Sequence, residues 1–314
     1  MAEESSKLME YMQLLPKETT GRITRLELLA RGLVEGFISG RHRSPHKGFS
    51  VEFAEHRQYV PGDDLADLDW RVYGKTDRYY VKQYTEETNL RATILVDASG
   101  SMKYAGESAA QVDGKVLSKF EYAKYLAAAL TYLLIRQQDA VGLVTFDTEV
   151  RKYIPARSRA SQVRLILEEL HNTEPGGETG VSNIFHDIAE RVHRRGVVIV
   201  ISDLFDKAED IINALYHFRY RKHDVMVFHI MAEEELTFPF HSFTHFRNLE
   251  DVQHVLQIDP QAIKAHYLEK VSQFIRRIEL GCGQMKADYI PMTTMESFDK
   301  ALTNYISRRK GSTK

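Results

Sequence analysis

Arg91-Ala-Thr-Ile-Leu-Val-Asp97-Ala-Ser99-Gly-Ser101 is the stretch on which the fold turns. Its first seven residues read as a buried strand that ends in polar residues. A second run, Val197-Val-Ile-Val-Ile201-Ser202-Asp203, is continuous in β-branched residues and also breaks into a polar pair. Such a run marks a central parallel strand covered on both faces. Further strands are predicted at Ala140–Phe146, Val225–Met231 and Asp288–Met292. Helices are predicted at Lys115–Arg136, Ser158–Asn172, Val181–Arg194, Asp206–Arg221, Gln261–Leu280 and Ser297–Arg309. Strands separated by helices of this length form βαβ units, so the expected class is α/β with a doubly wound, mostly parallel sheet.

Upstream of Leu90 the texture differs. Leu26, Leu29, Leu33 and Phe37 recur at helical spacing and predict an amphipathic helix over Ile23–Ile38. Gly40 to Thr88 is rich in Gly, Arg, His and aromatics. Its alternating runs at Ser50–Tyr59, Trp70–Tyr73 and Tyr79–Thr85 predict a small antiparallel β module, with a turn at Pro61-Gly62-Asp63. The expected organisation is thus an N-terminal helix and β module over residues 1–89, then an α/β domain over 90–314 with an insertion near 233–260.

Composition narrows the function classes. The 314 residues carry 42 Lys plus Arg against 44 Asp plus Glu, a net charge of −2, which argues against nucleic-acid binding through bulk charge. With 43% hydrophobic residues a sizeable core is available. The one cysteine, Cys282, rules out an intrachain disulfide and a cysteine-built zinc site. No basic-then-apolar leader opens the chain, and the apolar run Leu126–Ile135 is too short for a bilayer, which needs about 20 residues. A cytoplasmic protein without a membrane span is expected.

Three polar clusters follow predicted strands or enter helices: Asp97-Ala-Ser99-Gly-Ser101, Pro175-Gly-Gly-Glu-Thr179-Gly, and Ser202-Asp203. In a doubly wound sheet such loops converge where the strand order reverses, the usual ligand crevice. The set offers carboxylate and hydroxyl oxygens with no imidazole or thiolate. It therefore suits a hard cation, Mg²⁺ best and Mn²⁺ second. Two carboxylates neutralise such an ion, leaving room for an acidic ligand from a partner.

These motifs resemble the metal-ion-dependent adhesion site of von Willebrand factor A domains, which have a Rossmann-type sheet. The resemblance implies that Ser99 and Ser101 ligate the ion directly. It implies Thr179 as a direct or water-mediated ligand, and Asp97 and Asp203 as mostly water-mediated ones. Glu178 departs from the pattern between the glycine pair and Thr179, which makes Ser182 a competing ligand. Thr179 is preferred because Val181, Ile184, Phe185 and Ile188 then share one helical face.

The upstream residues Phe49–Phe53, Arg57-x-Tyr59-x-Pro61-Gly62-Asp63-Asp64, Asp69-Trp70 and Val81-x-x-Tyr84-x-Glu86-Glu87 are similar to those of the bacterial domain-of-unknown-function 58 family. That resemblance implies a partner, a MoxR-type AAA+ ATPase, and an adaptor or chaperone-like role in assembling or maturing a client protein. The expected function is non-enzymatic binding through Mg²⁺. One alternative is a metal-assisted hydrolase in the same crevice. Against it, no G-x-S-x-G elbow surrounds Ser99 or Ser101, no His flanks Asp97 or Asp203, and His186 lies beyond Thr179. Another is an interaction protein whose metal only staples loops.

Other features have plainer readings. Pro175–Gly180 lacks the G-K-[ST] ending of a phosphate loop. His42 and His46 are separated by Pro45 and read as a solvated basic loop. Asp63, Asp64, Asp67 and Asp69 read as turn caps, or as a docking surface beside Trp70. Phe238, Phe240, Phe243 and Phe246 form either a satellite core or an exposed patch. Cys282 reads as a structural or surface thiol, and Arg308–Lys310 as a cationic helix end.

Overall fold

The computed structural model describes residues 51–60, 68–86, 90–112, 115–136, 138–177, 180–241, 244–247, 249 and 255–296. The helices expected at Ile23–Ile38 and Ser297–Arg309, the His42–His46 loop, the Asp63–Asp67 acids and Arg308–Lys310 lie outside these residues. The described residues divide into two compact units, separated between Asn89 and Leu90.

In the first unit, β1 (Val51–Gln58) pairs antiparallel with β2 (Tyr80–Glu86), with an irregularity between Phe53 and Glu55. Between them lies α1 (Trp70–Thr76), a correction to the strand expected at Trp70–Tyr73. The Asp69 carboxylate accepts the backbone N–H groups of Arg71 at 2.9 Å and Val72 at 3.3 Å. This cap starts a helix where alternation alone suggested a strand. Asp77, left-handed at φ 56°, ends it. Trp70 is exposed.

The second unit runs from β3 (Arg91–Asp97) through a short hairpin, β4 (Gln111–Val112) and β5 (Lys115–Val116), to α2 (Lys119–Arg136). Then come β6 (Ala140–Phe146), β7 (Val150–Arg157), α3 (Ser161–Asn172), α4 (Val181–Arg191) and β8 (Val197–Ser202). The chain continues with α5 (Ala208–Tyr220), β9 (Asp224–Met231), α6 (Glu233–Thr237) and a hairpin of β10 (Thr244–Arg247) with β11 (Val255–Ile258). It closes with α7 (Pro260–Gln284) and β12 (Asp288–Thr293). The main sheet has the order β12-β9-β8-β3-β6-β7. All neighbours are parallel except β6 and β7. This is the expected α/β, doubly wound, mostly parallel sheet.

Alternation along β3 explains the two layers. Ala92, Ile94 and Val96 join α2 and α3 in one core, whereas Leu95 faces the other core with α4, α5 and α7. α2 is buried along most of its length, as its apolar composition requires. No helix among the described residues is long and apolar enough to cross a membrane.

Three further expectations are corrected. The helix predicted from Lys115 begins at Lys119, because Lys115 and Val116 pair in the short hairpin. Strand β7 was not expected: its charged residues and Pro155 hide it, yet both suit an antiparallel edge strand. Helix α7 continues through Gly281 and Cys282. A Cβ on Gly281 would lie 2.6 Å from Ile212 Cδ1, so this glycine lets helices pack closely and does not end one. Cys282 is fully buried, with its thiol pushed up to about 12 by burial. In the insertion, Phe238 is 4% exposed and its ring meets those of Phe240, Phe246 and Tyr267. The described aromatics thus form a satellite core against α7; Phe243 lies outside the described residues.

Candidate metal crevice

Strand order reverses at β3, with β8 on one side and β6 on the other. The register Val96↔Ile201 brings the ends of β3 and β8 level, so Asp97 lies beside Ser202. The Ser202 hydroxyl donates to Asp97 Oδ2 at 2.5 Å and accepts the N–H of Leu204 at 2.8 Å. Leu204 takes the left-handed conformation, φ 53°, to turn the chain there. The other oxygen of Asp97 accepts the Ser99 N–H at 2.9 Å, and the hydroxyls of Ser99 and Ser101 stand 3.0 Å apart. Asp97 and Ser99 are fully buried, and Ser101 and Asp203 nearly so.

The second loop is tied to the first by the backbone. Gly100 N–H donates to Gly177 O at 2.9 Å, and Gly176 N–H donates to Ala98 O at 2.8 Å. Gly177 needs its glycine, since it sits at φ 81° and a Cβ would come within 3.0 Å of Asp147 Oδ2. Arg151 of β7 clamps the loop from outside. Its Nε donates to Asp147 Oδ2, its Nη1 to Glu174 O and its Nη2 to Gly176 O, each at 2.6 Å. Thr179 lies outside the described residues, as does the side chain of Ser182, so of the five expected ligands the structure gathers Asp97, Ser99, Ser101 and Asp203.

Burial, first, and the charge of Asp203, second, push the Asp97 carboxyl up to about 7, against the hydrogen bonds from Ser202 and Ser99. Asp203 has a cationic partner of its own. Lys119, 2% exposed at the start of α2, reaches Asp203 Oδ2 and Glu235 Oε1, each at 2.7 Å. These two anions hold the lysine's pKa above its usual value although burial opposes them. Glu235 is itself fixed by the Ala232 N–H at 2.8 Å. Behind Asp203, His229 Nε2 donates to the Asp203 carbonyl at 3.0 Å, so Nδ1 accepts from the Tyr289 hydroxyl at 2.6 Å. Burial lowers this imidazole to about 4, which keeps it neutral.

No ion pair among the described residues reaches Asp97. Paired buried hydroxyls and a carboxylate whose charged form is disfavoured fit a hard, oxygen-seeking ion. Among the described residues no group of three or more His, Cys, Asp or Glu could hold a metal, so the hydroxyls are essential to such a site. Lys119, Ser202, Arg151 and Glu235 were not singled out by sequence reasoning as ligands or positioning groups. Ser202 alone carried a signal, as the neighbour of Asp203 at a strand end.

Comparison with known proteins identifies the family. The family model described as Protein of unknown function DUF58 matches residues 55–274. Uncharacterized proteins of Mycobacterium tuberculosis and Mycobacterium bovis are each 25% identical over 300 residues, covering 91% of this chain and 88% of theirs. Among solved structures, the conserved hypothetical protein BatB from Bacteroides thetaiotaomicron is similar with a TM-score of 0.45 and 19% identity, over 71% of this chain and 100% of that one. The VWA domain of SpRpn10 has a TM-score of 0.38 and 11% identity, over 69% and 95% of the two chains.

Proposed function

Because the chain belongs to the DUF58 family and carries a von Willebrand factor A-like domain, we propose that it is a non-enzymatic, Mg²⁺-dependent protein-binding module. Its place is the cytoplasm, as an adaptor or chaperone-like partner of a MoxR-type AAA+ ATPase in maturing a client protein. The observation that carries this reading is Asp97: a fully buried carboxylate at the strand reversal, beside two hydroxyls and a second carboxylate, with no ion pair among the described residues. The family resemblance supplies the ATPase.

Asp97, Ser99, Ser101 and Asp203 would hold the ion, together with Thr179 of the second loop. Bound there, Mg²⁺ supplies an open coordination position for an acidic side chain of the partner. The chain's own residues prepare that position. Ser202 orients Asp97, Lys119 holds Asp203, and Arg151 holds the second loop. Both nitrogens of His229 are engaged, so this imidazole is not free to accept a proton from water. His186, the other imidazole considered, is exposed on α4 beside Glu190.

The test is a pull-down from native cytoplasm with wild type and Asp97→Ala, each in Mg²⁺ and in EDTA. Retention of an AAA+ ATPase by wild type in Mg²⁺ alone is expected. The same partners in all four lanes would remove the metal from the mechanism.

A further inference from the structure

A second candidate site lies at the opposite end of the same sheet. Asp97 closes β3, and Arg91 opens it about 20 Å away at roughly 3.3 Å per residue. There a cavity of ≈ 230 Å³ is lined by Arg91, Arg191, His193, Arg194, Gly196 and His223, among others. No carboxylate is among its lining residues. The three arginines come from separate places: the first residue of β3, the last residue of α4, and the link into β8.

The local structure brings them together. A Cβ on Gly196 would stand 2.2 Å from the Arg91 carbonyl oxygen, so only glycine lets this link lie against β3. Arg91 is held by a hydrogen bond from Nη1 to Ala156 O at 3.3 Å. His223, 1% exposed, donates from Nε2 to Val192 O at 3.0 Å and anchors the wall below α4. Arg191 alone could serve the negative end of α4. That role does not account for Arg91, which comes from a strand, or for Arg194, which lies past the helix end.

We propose that this cavity binds a small phosphate-bearing anion. Guanidinium groups present planar donor forks that match phosphate oxygens, and three arginines lining one cavity with no carboxylate in that lining favour a multiply charged ligand. The volume is below the roughly 300 Å³ at which pockets for larger ligands begin, and so suits one or two phosphate groups. The phosphate is that of a free anion, such as inorganic pyrophosphate, or the terminal group of a nucleotide.

The experiment is calorimetric titration of the full chain in Mg²⁺-free buffer with inorganic phosphate, pyrophosphate and ADP. Saturable binding of at least one is expected, weakened about tenfold or more by Arg191→Gln and by Arg194→Gln. Arg276→Gln, an exposed arginine on α7, controls for overall charge and should leave affinity within about twofold. Asp97→Ala should bind as wild type does, so the result stands apart from the metal reading. ADP bound more tightly than pyrophosphate assigns a nucleotide; the reverse assigns the free anion. Two results overturn the proposal: no saturable binding up to about 10 mM, or equal weakening by Arg276→Gln.

Discussion

A lysine with 2% exposure is tolerated only where its charge is met, and Lys119 shows how two distant carboxylates meet one. Removing it leaves Asp203 and Glu235 buried or half-buried without their cation. Lys119→Met is therefore expected to lower stability by about 3–5 kcal/mol, the range for breaking a buried ion pair, as read by denaturant unfolding. A loss below about 1 kcal/mol, typical of exposed pairs, would contradict this. Asp139 offers a test of opposite sign. Burial pushes its carboxyl from the ordinary 3.8 to about 6, against a hydrogen bond from the Leu90 N–H. Between those pH values the folded state holds a proton that the unfolded state has lost. Its carboxylate thus weakens the fold as pH rises through that window. Asp139→Asn keeps an acceptor for Leu90 and should stabilise the protein by up to about 3 kcal/mol at pH 7, with the gain vanishing below about pH 4. A gain independent of pH would sink the assignment. These residues also mark the limit of legibility. Asp97, Ser99 and Ser101 stand within five positions at a strand end and could be read together. Lys119 meets its partners across 84 and 116 positions, a juxtaposition that only the fold creates.

Elements were legible where composition and period agreed. β3 and β8 are buried on both faces and read as such from their apolar runs. α1 is hidden from a reading by alternation because Trp70-Arg-Val-Tyr73 alternates, while the deciding hydrogen bonds come from Asp69, just outside that run. β7 was missed because an edge strand need not be apolar. Its placement nevertheless matters twice. At its junction with β6, a Cβ on Gly142 would fall 2.6 Å from the Ile154 carbonyl oxygen, which cannot swing away as a side chain would. Gly142→Ala should therefore destabilise by about 1–3 kcal/mol, measured as a lower midpoint in urea; an unchanged midpoint would show that the strands separate freely. β7 also carries Arg151, which touches the second loop through carbonyls and contributes no ligand atom. Arg151→Met is expected to weaken Mg²⁺ binding about 10- to 100-fold. Unchanged Mg²⁺ affinity would show that the loop holds its place without the clamp.

At the scale of the molecule, one topological fact organises the proposed chemistry: the sheet is entered at its middle, with β6 to one side of β3 and β8 to the other. That reversal was implied by the alternation of strands and helices, and it places two polar strand ends side by side. The second-loop ligand was the part of the site least readable, since Glu178 interrupts the motif where a choice between Thr179 and Ser182 has to be made. Everything proposed for the crevice at the reversal depends on its binding Mg²⁺. The most direct measurement is thermal and denaturant stability of wild type and Asp97→Ala across a Mg²⁺ titration. A ligand specific to the folded state should stabilise wild type by about 2.7 kcal/mol at a hundred times its Kd. That saturable gain is expected in wild type and its loss in Asp97→Ala. An equal response in both proteins, or none in either, would contradict it.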